Sequence, residues 1–406
     1  MFIRLALRNI TAHGQRSIVT LLLISITTAL LVFATAWMDG SHQTMIKNAV
    51  EIYPGYIQIT GVKFRDEPSY EHLIFDIKTA TQKLSGIDTV AKFASRFESY
   101  VLFSVGNKAV GGMLAGIEPK KELELSRLAS SLQKGDFLAA NDGDKLYIGC
   151  ELAKRLHVDV GDKLTFIGTG ADYSFAADIL RVKGIFRTGL YEFDANAAFL
   201  AKPYFDQLMA SDNYATHIIV LPGNPKLADD LAKRLGKCLG PKYQSASWTE
   251  TMADLVKGME LDSIFGYITL GIIFIVIFFV IMIYTLLNVF SRIRELGVLR
   301  AIGTTPGQIF GLLLLESTLL TLIGVIIGGL LGAIFAWYFQ QHPIVFSGFE
   351  DQFKQYGLAA SAIPTAFNPV TILRDMAVMF ILSLLSTLYP ILKINRYKPV
   401  EAMRHV

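Results

Sequence analysis

The segment Ser291–Ile309 carries charged residues at helical spacing and is the part of this sequence best suited to chemistry. Arg292 and Glu295 are three residues apart, so on a helix they share a face and can form an ion pair. Arg300 adds a planar guanidinium that can bind carboxylates or backbone carbonyls. Gly303 then ends the helix-forming stretch. Groups of this kind recognise another protein; they do not make or break bonds.

Motifs for bond-making reactions are absent from the sequence. It contains no G-x-x-x-x-G-K-[ST] phosphate loop, no G-x-S-x-G nucleophile elbow and no H-E-x-x-H helix. Its close acidic pairs, such as Asp142 with Asp144, are typical of solvated loops. We therefore expect no catalytic residues and no enzyme activity, and any nucleotide that drives work should bind another polypeptide.

Cys150 and Cys238 are the two cysteines of the chain. Two distant cysteines and scattered histidines predict no metal site. A single disulfide between them is one interpretation, since both fall in a segment predicted below to be exported. Two buried small apolar positions are the other interpretation.

The composition indicates a membrane protein. Of the 406 residues, 52% are hydrophobic and 18% are charged, and the mean hydropathy is +0.42; soluble domains carry about 25% charged residues. A spanning helix needs about 20 apolar residues. Four runs meet or approach that length: Ile18–Trp37, Ile264–Phe290, Leu312–Phe339 and Met376–Leu392. The net charge of +3 gives no indication of nucleic-acid binding.

Positive residues beside the apolar runs predict the orientation, because the cytoplasmic flanks of spans are enriched in Lys and Arg. They cluster before the first run, between the second and third, and after the fourth: Arg4, Arg8, Arg16, Arg292, Arg294, Arg300, Lys393, Arg396, Lys398 and Arg404. Both termini and segment 291–308 should therefore be cytoplasmic. Segments 39–263 and 340–375 should be extracytoplasmic.

These observations predict a polytopic α-helical membrane protein with four transmembrane helices and a large extracytoplasmic α+β domain inserted between the first two. The predicted segments are 1–38 (amphipathic N-terminal helix and first span), 39–263 (extracytoplasmic domain with stalk helices), 264–290 (second span), 291–308 (cytoplasmic coupling helix), 309–339 (third span), 340–375 (extracytoplasmic loop), 376–393 (fourth span) and 394–406 (cytoplasmic tail). Met1–Ala12 could also be a simple positive flank of the first span. The first run is longer than a usual signal-peptide core, which argues against cleavage.

The inserted segment mixes strand and helix patterns. Strands are predicted at 56–60, 99–104, 163–167 and 177–185, and helices at 75–85, 151–156, 202–209 and 226–235. This alternation favours two subdomains, with the chain crossing between them in Leu123–Phe137. Helices at 39–51 and 248–262 would be either a stalk or ordinary edge helices.

Small residues repeat every four positions in the third span, at Gly324, Gly328 and Gly332. This spacing lets helix backbones approach closely in lipid, so we expect the stripe to pack against another span of this subunit or of a partner. Glu316 lies near the cytoplasmic end of the same helix. A carboxylate there can reach the interface or pair with Arg292 or Arg300, which we favour over an ion pathway.

Segment 291–308 resembles the cytoplasmic link of the FtsX/MacB-type ABC permeases (the type VII ABC fold), R-x-x-E-[IL]-G-[IV]-L-[RK]-A-[IL]-G-x-[ST]-x-x-[QD]-I. The matching residues are Arg292, Glu295, Leu296, Gly297, Val298, Leu299, Arg300, Ala301, Ile302, Gly303, Gln308 and Ile309. The start Leu5–Asn9 and the end Pro399–Arg404 are also similar to that family. The resemblance covers essentially the whole chain.

Within that family the inserted domain is most similar to the LolC/LolE lipoprotein-releasing permeases. The similar segments are Pro54–Ile59, Gly116–Pro119, Ile148–Ala153, Val160–Leu164 and Val182–Phe186. The resemblance implies a MacB-type periplasmic core of two subdomains in the cell inner membrane, surrounded by membrane lipids. MacB itself carries a fused ATPase that this sequence does not match.

The resemblance further implies a permease dimer, formed with a second copy or a paralogue, and two ABC ATPase subunits. ATP and Mg²⁺ would bind the ATPases, leaving no cofactor in this chain. The residues expected to couple to the ATPase are Arg292, Arg294, Glu295, Leu296, Leu299, Arg300, Ala301 and Gly303.

Three functions follow from the resemblance. The first is release of lipoproteins from the inner membrane to a periplasmic carrier. The second is MacB-like efflux through a periplasmic adaptor, and the third is FtsX-like signalling to an extracytoplasmic hydrolase.

Overall fold

The computed structural model describes residues 2–12, 14–345 and 362–394. They form two compact units. The membrane unit contains the described residues up to Gln43, Met259–Val345 and those from Ala362 onward; the sheet unit is Thr44–Gly258. Residues 346–361 of the predicted loop and 395–406 of the predicted tail, including Arg396, Lys398 and the Pro399–Arg404 motif, lie outside the described residues.

The described residues contain thirteen α-helices and twelve strands. The helices are α1 Phe2–Ala12, α2 Gly14–Val50, α3 Ile77–Ser85, α4 Pro119–Leu125, α5 Cys150–Leu156, α6 Tyr191–Asn196, α7 Lys202–Met209, α8 Ala228–Leu239, α9 Trp248–Thr251, α10 Ala253–Ser291, α11 Ile293–Ala301, α12 Pro306–Gln341 and α13 Pro369–Ile394. The strands are β1 Ile57–Gly61, β2 Val90–Val105, β3 Lys108–Ile117, β4 Leu132–Gly135, β5 Lys145–Gly149, β6 Lys163–Thr169, β7 Phe175–Phe186, β8 Ala197–Ala201, β9 His217–Pro222, β10 Tyr243–Ser247, β11 Ile344–Val345 and β12 Ala362–Ile363.

Four described helices, α2, α10, α12 and α13, are long and apolar enough to cross a membrane. The predicted fold class, four spans with an inserted α+β domain, is therefore confirmed. Two spans extend well past their apolar runs, since α2 has 37 residues and α10 has 39. The helical patterns predicted on either side of the domain are thus continuous with the spans, apart from the short α9.

The fourth spanning helix begins earlier than the hydropathy pattern indicated. It starts at Pro369, where the Asn368 side chain accepts a hydrogen bond from the Val370 amide at 3.1 Å. Pro in the first turn and Asn just before it are strong helix-start signals. Asp375, predicted to lie in the loop, is consequently inside α13 and is 3% exposed. The helix Pro369–Ile394 therefore carries a buried acidic residue of its own.

The sheet unit is organised by one long mixed sheet. Its strand order is β10-β1-β9-β2-β3-β8-β5-β7-β4, and β6 pairs with both β2 and β7. The pairs β3–β8 and β5–β7 are parallel, and the other pairs of this sheet are antiparallel. Helix α8 packs on β1 and β10 and buries Leu231 and Leu235 there. The other large core lies around β2, β3 and β5–β8.

The chain crosses between the two halves of the sheet within β2, and not in the predicted Leu123–Phe137 segment. Residues Val90–Arg96 pair with β9, whereas Phe97–Val105 pair with β3. The chain returns between α7 and β9. Segment 123–137 instead ends in β4, which pairs with β7 in the same half as β3. A crossing inside one continuous strand has no local sequence signal, because no turn or linker residues interrupt the strand there.

Both cysteines are free thiols in the structure. Cys150 is buried at the start of α5, and burial raises the pKa of its thiol. Cys238 is exposed, so the interpretation of a buried apolar position holds for Cys150 and is wrong for Cys238.

Candidate coupling site

A buried ion pair fixes the start of α11 to α12. Arg292 Nη1 donates to Glu316 Oε1 at 2.8 Å and to Oε2 at 3.0 Å. Both side chains are under 10% exposed. An Arg–carboxylate pair with two hydrogen bonds is geometrically specific. The pair therefore fastens the start of α11 to α12.

Arg292 also reaches the surface of α11. Its Nε lies 3.3 Å from Glu295 Oε2, as the i,i+3 spacing predicted. The Glu295 side chain is 54% exposed, so one arginine links a buried carboxylate to an accessible one. The predicted pairing of Glu316 with Arg292 is present as well.

The end of α11 is determined by its local sequence. Gly303 has φ = +106°, a left-handed conformation that strongly favours glycine. The Gly303 amide donates to the Arg300 carbonyl, and the Thr304 amide donates to the Leu299 carbonyl, both at 3.1 Å. This is the Schellman arrangement, which satisfies the last carbonyls of a helix. Glycine is thus needed here for the backbone turn.

The start of α12 is capped by its own side chains. Thr305 Oγ1 accepts from the Gln308 amide at 3.4 Å, and Gln308 Oε1 accepts from the Thr305 amide at 2.9 Å. This reciprocal capping box satisfies two of the free amides at a helix start. Gln308 of the predicted motif therefore has a structural role.

Helix α11 has an inner and an outer face. Leu296 is 5% exposed and packs with Val289, Ile309, Leu313 and Ile391, and the half-buried Leu299 packs on the same cluster. The outer face exposes Arg294, Glu295, Val298, Ala301 and Ile302. Leu299 is among the residues expected to couple to the ATPase, but it lies on the inner face. The structure instead leaves Val298 and Ile302 exposed, and an i,i+4 apolar pair within the motif was the signal that could have found them.

The first span also reaches this site. Arg16 donates a hydrogen bond to Ser291 Oγ, and its carbonyl accepts from the Tyr284 hydroxyl at 3.4 Å. Arg16 was counted as an orientation signal only. Its contact ties the start of α2 to the end of α10.

The glycine stripe of α12 faces α2. A Cβ added at Gly328 would lie 2.3 Å from the Ser25 carbonyl oxygen, and those at Gly324 and Gly332 would lie within 3.0 Å of Ile24 and Val32 side chains. Ser25 Oγ donates to the Gly324 carbonyl at 3.0 Å. Four-residue spacing put the glycines on one face, and the contacting helix belongs to this same chain.

The sequence of this chain matches two protein families. Residues 267–399 match the FtsX-like permease C-terminal family model, and residues 17–237, more than half of the chain, match the MacB-like periplasmic core domain. The chain belongs to the FtsX-like permeases with a MacB-like periplasmic core. It is thus the permease component of an ABC transporter and a multi-pass membrane protein with a periplasmic domain.

Several curated permeases are similar to this one. The lipoprotein-releasing system transmembrane protein LolC of Xylella fastidiosa (strain 9a5c) is 26% identical over 329 residues, which are 78% of each chain. The uncharacterized ABC transporter permease YknZ of Bacillus subtilis (strain 168) is 24% identical over 351 residues, covering 80% of this chain and 83% of YknZ. The periplasmic region of MacB from Actinobacillus actinomycetemcomitans aligns with a TM-score of 0.37 at 18% identity, covering 52% of this chain and 95% of that one.

Asp375 forms a second polar contact between the permease's spans. Thr35 Oγ1 donates to its Oδ2, and the Arg374 guanidinium donates to its Oδ1 at 3.0 and 3.1 Å. Sequence analysis missed this contact because the helix start was placed too late. The pair holds α13 to α2, as Glu316 holds α12 to α11.

The periplasmic domain contains a buried charged cluster that sequence analysis also missed. Arg96 and Glu122 are completely buried and make two hydrogen bonds, at 2.7 and 2.8 Å. Arg96 also donates to the Tyr53 carbonyl, and its guanidinium carbon lies 3.8 Å from the centre of the Tyr53 ring. The cluster sits where β2 passes from one half of the sheet to the other. It joins that crossing to the chain that follows α2.

His217 borders this cluster. Within the described part of the chain its Nε2 and the Tyr53 hydroxyl make no hydrogen bond, and Nε2 lies 3.6 Å from Glu98 Oε1. Burial lowers the pKa of His217 below its usual 6.5, an effect that the nearby Glu98 opposes and Arg96 reinforces. Burial likewise raises the pKa of Tyr53.

Proposed function

We propose that this permease transmits ATP-driven motion from separate ABC ATPase subunits across the inner membrane to its periplasmic domain, and thereby releases lipoproteins to a periplasmic carrier. Two ATPases would bind ATP and Mg²⁺, and a second permease, a copy or a paralogue, would complete the complex. Both termini and α11 would be cytoplasmic. The substrate part of the proposal is supported by the similarity to LolC over most of both chains.

The observation that carries the proposed mechanism is the way in which α11 is held. It is a short helix with a defined end at Gly303, and the buried Arg292–Glu316 pair fastens it to α12. Its outer face presents the charge of Glu295 and the apolar side chains of Val298 and Ile302. A small apolar centre with a charged border is typical of protein docking surfaces. A push on this face would reach the spans without first bending a flexible link.

The match to a MacB-like periplasmic core favours a second candidate, an efflux permease that works with a periplasmic adaptor. The two candidates share the coupling mechanism and differ in cargo. An acylated protein recovered with the complex would support release, and an adaptor recovered without acylated cargo would support efflux.

The decisive experiment reconstitutes the permease with its ATPase in proteoliposomes that contain an acylated protein. We expect Glu295→Lys to abolish ATP-dependent release while the melting temperature stays unchanged, because Glu295 is exposed and such ion pairs contribute about 0–1 kcal/mol. Glu71→Lys reverses the same charge at an exposed site in the sheet unit and should release at the wild-type rate. Wild-type release by Glu295→Lys would refute the coupling role of α11.

A further inference from the structure

The sheet unit contains a large apolar groove to which none of the functions above assigns a role. Its volume is about 1220 Å³, more than the roughly 300–1,000 Å³ of ordinary small-molecule sites. Its floor is the face of β2 and β3, from Tyr100–Leu102 and Gly111–Met113. One wall is the end of α2 and the following loop, and the other is α6. We call it the sheet groove.

The lining of the sheet groove is almost free of charge. Among the described lining residues Glu192 is the one ionised side chain, and most of the others are apolar: Ala49, Ile52, Pro54, Val101, Leu102, Met113, Leu190, Phe193, Ala197 and Met252. No described lysine, arginine or histidine lines it. A phosphate-bearing head group would therefore find no positive side chain to pair with. Binding of an aliphatic chain would be favourable, because it removes apolar surface of both the groove and the chain from water.

Glycine makes room on the floor of the groove. A Cβ added at Gly111 would meet no heavy atom within 4 Å. Gly111 pairs with Leu102 on β2, and their neighbours Met113 and Tyr100 pair in the same ladder. The backbone groups of these residues are already paired between the two strands. The floor therefore presents side chains and open space, which suits an apolar ligand.

Apolar side chains continue from the groove across the same face of the sheet. Leu102 is opposite Ile167, and Ile167 is opposite Ala177. Tyr100 is 85% exposed, and Leu102, Ile167 and Ile179 are each at least 40% exposed. A contiguous exposed apolar surface of this kind marks a binding site.

The walls of the groove connect it to the membrane helices. Ala49 lies in the last turn of α2, and Met252 directly precedes α10. Both helices are continuous with apolar spans. The groove is thus lined by residues at the end of α2 and just before the start of α10.

We propose that the sheet groove binds an acyl chain of the lipid-anchored cargo. This proposal rests on the proposed release function and deepens it, because it gives the acyl chain a site in the periplasmic domain. The size of the groove, its lack of basic side chains and its lining by residues at the end of α2 and just before α10 favour an acyl chain over a head group or a peptide.

The test uses the full-length permease in lipid nanodiscs and a triacylated cysteinyl peptide with a photoreactive diazirine in one acyl chain. Cross-linked sites are mapped by mass spectrometry. We expect labelling at the groove residues Tyr100, Leu102 and Met113. Gly111→Trp should fill the groove and reduce this labelling roughly tenfold, which corresponds to about 1.4 kcal/mol of binding free energy.

Two variants serve as controls. Gly236→Trp makes the same change at a half-buried position of α8 outside the groove, where the nearest heavy atom to an added Cβ is 3.9 Å away, and should keep wild-type labelling. Should Gly111→Trp fail to fold, Tyr100→Glu places a charge on the exposed part of the groove floor and should reduce labelling as well. The wild-type cross-link map needs no variant and decides on its own whether the groove is occupied.

The outcomes separate the two proposals. Labelling confined to the spans would overturn the groove proposal and leave the release function standing. Equal groove labelling by a diazirine phospholipid, or full competition by the unacylated peptide, would overturn the assignment to cargo acyl chains. No labelling of the permease by the acylated peptide, together with no release in the proteoliposome assay, would overturn the release function itself.

Discussion

Two buried Arg–Glu pairs, one in each unit, differ in how they are enclosed. Arg96 and Glu122 have no exposed side-chain surface, and Arg96 is also held by Tyr53. Arg292 and Glu316 are nearly as buried, but Arg292 has a second carboxylate, Glu295, at the surface. The first pair lies wholly inside the fold, where it fixes the crossing of β2 to α4. The second pair is linked through Arg292 to the accessible carboxylate of Glu295, so under the proposed function a partner that contacts Glu295 would act on it.

The largest expected effect comes from breaking the Arg96–Glu122 pair of the sheet unit. Arg96→Met leaves Glu122 buried without its counter-ion, so the free energy of unfolding should fall by about 3–5 kcal/mol. Melting of the purified protein, followed by intrinsic fluorescence, should show a fall of about 2–4 °C for each kcal/mol. The double variant Arg96→Met/Glu122→Leu should recover most of the loss, because it removes both charges. An unaltered melting temperature for Arg96→Met would show that water enters the cluster.

Breaking the Arg292–Glu316 pair of the membrane unit should lower the free energy of unfolding by a smaller amount. Glu316→Gln removes the buried carboxylate but leaves Arg292 with Glu295, so we expect a loss of about 1.5–3 kcal/mol, the range for hydrogen bonds to charged groups. ATP-dependent release should also fall, because α11 would no longer be fastened to α12. Glu295→Gln is the matched control for stability and should melt like wild type. A melting loss for Glu316→Gln as large as that for Arg96→Met would contradict the difference between the pairs.

Helix α12, which carries Glu316, also packs closely on α2 through its glycine stripe. Gly328→Leu would push a side chain into the Ser25 backbone, and overpacking typically costs about 1–3 kcal/mol. Gly311→Leu is the control in the same helix, since an added Cβ there meets nothing within 4 Å. We expect a lower assembly yield and melting temperature for Gly328→Leu alone. Equal values for the two variants would show that the glycine stripe is incidental.

The smallest effect is a pH dependence confined to the enclosed cluster. The pKa of His217 is lowered by burial, so the unfolded chain binds a proton that the folded protein does not. Stability should be fully present above pH 6.5 and fall below it, towards the lowered pKa, by at most about 1.4 kcal/mol per pH unit. Glu98, Arg96, Glu122 and Tyr53 are the charged and titratable groups around the imidazole.

His217→Gln tests this dependence. The variant should lose stability less steeply than wild type when unfolding is measured from pH 7.5 to 5.5. Parallel curves for the two proteins would mean that His217 does not titrate in this range.

The sequence by itself determined the features that depend on neighbouring residues. The length of an apolar run decides whether a helix can span, so four spans could be read directly. The turn after α11 follows from Gly303, because its positive φ favours glycine. The Arg292–Glu295 spacing and the four-residue glycine stripe follow from helix geometry alone. Family resemblance then supplied the permease assignment.

Only the tertiary structure decided which distant residues meet. Arg96 on β2 and Glu122 on α4 are 26 residues apart and have no shared periodicity, so their pairing depends on how the sheet folds. The glycine stripe could have faced any span until Gly328 was seen against Ser25. The sheet groove needs α2, β2, β3 and α6 together. Local patterns set which face of an element is apolar, whereas packing decides which of those faces is covered and which stays open.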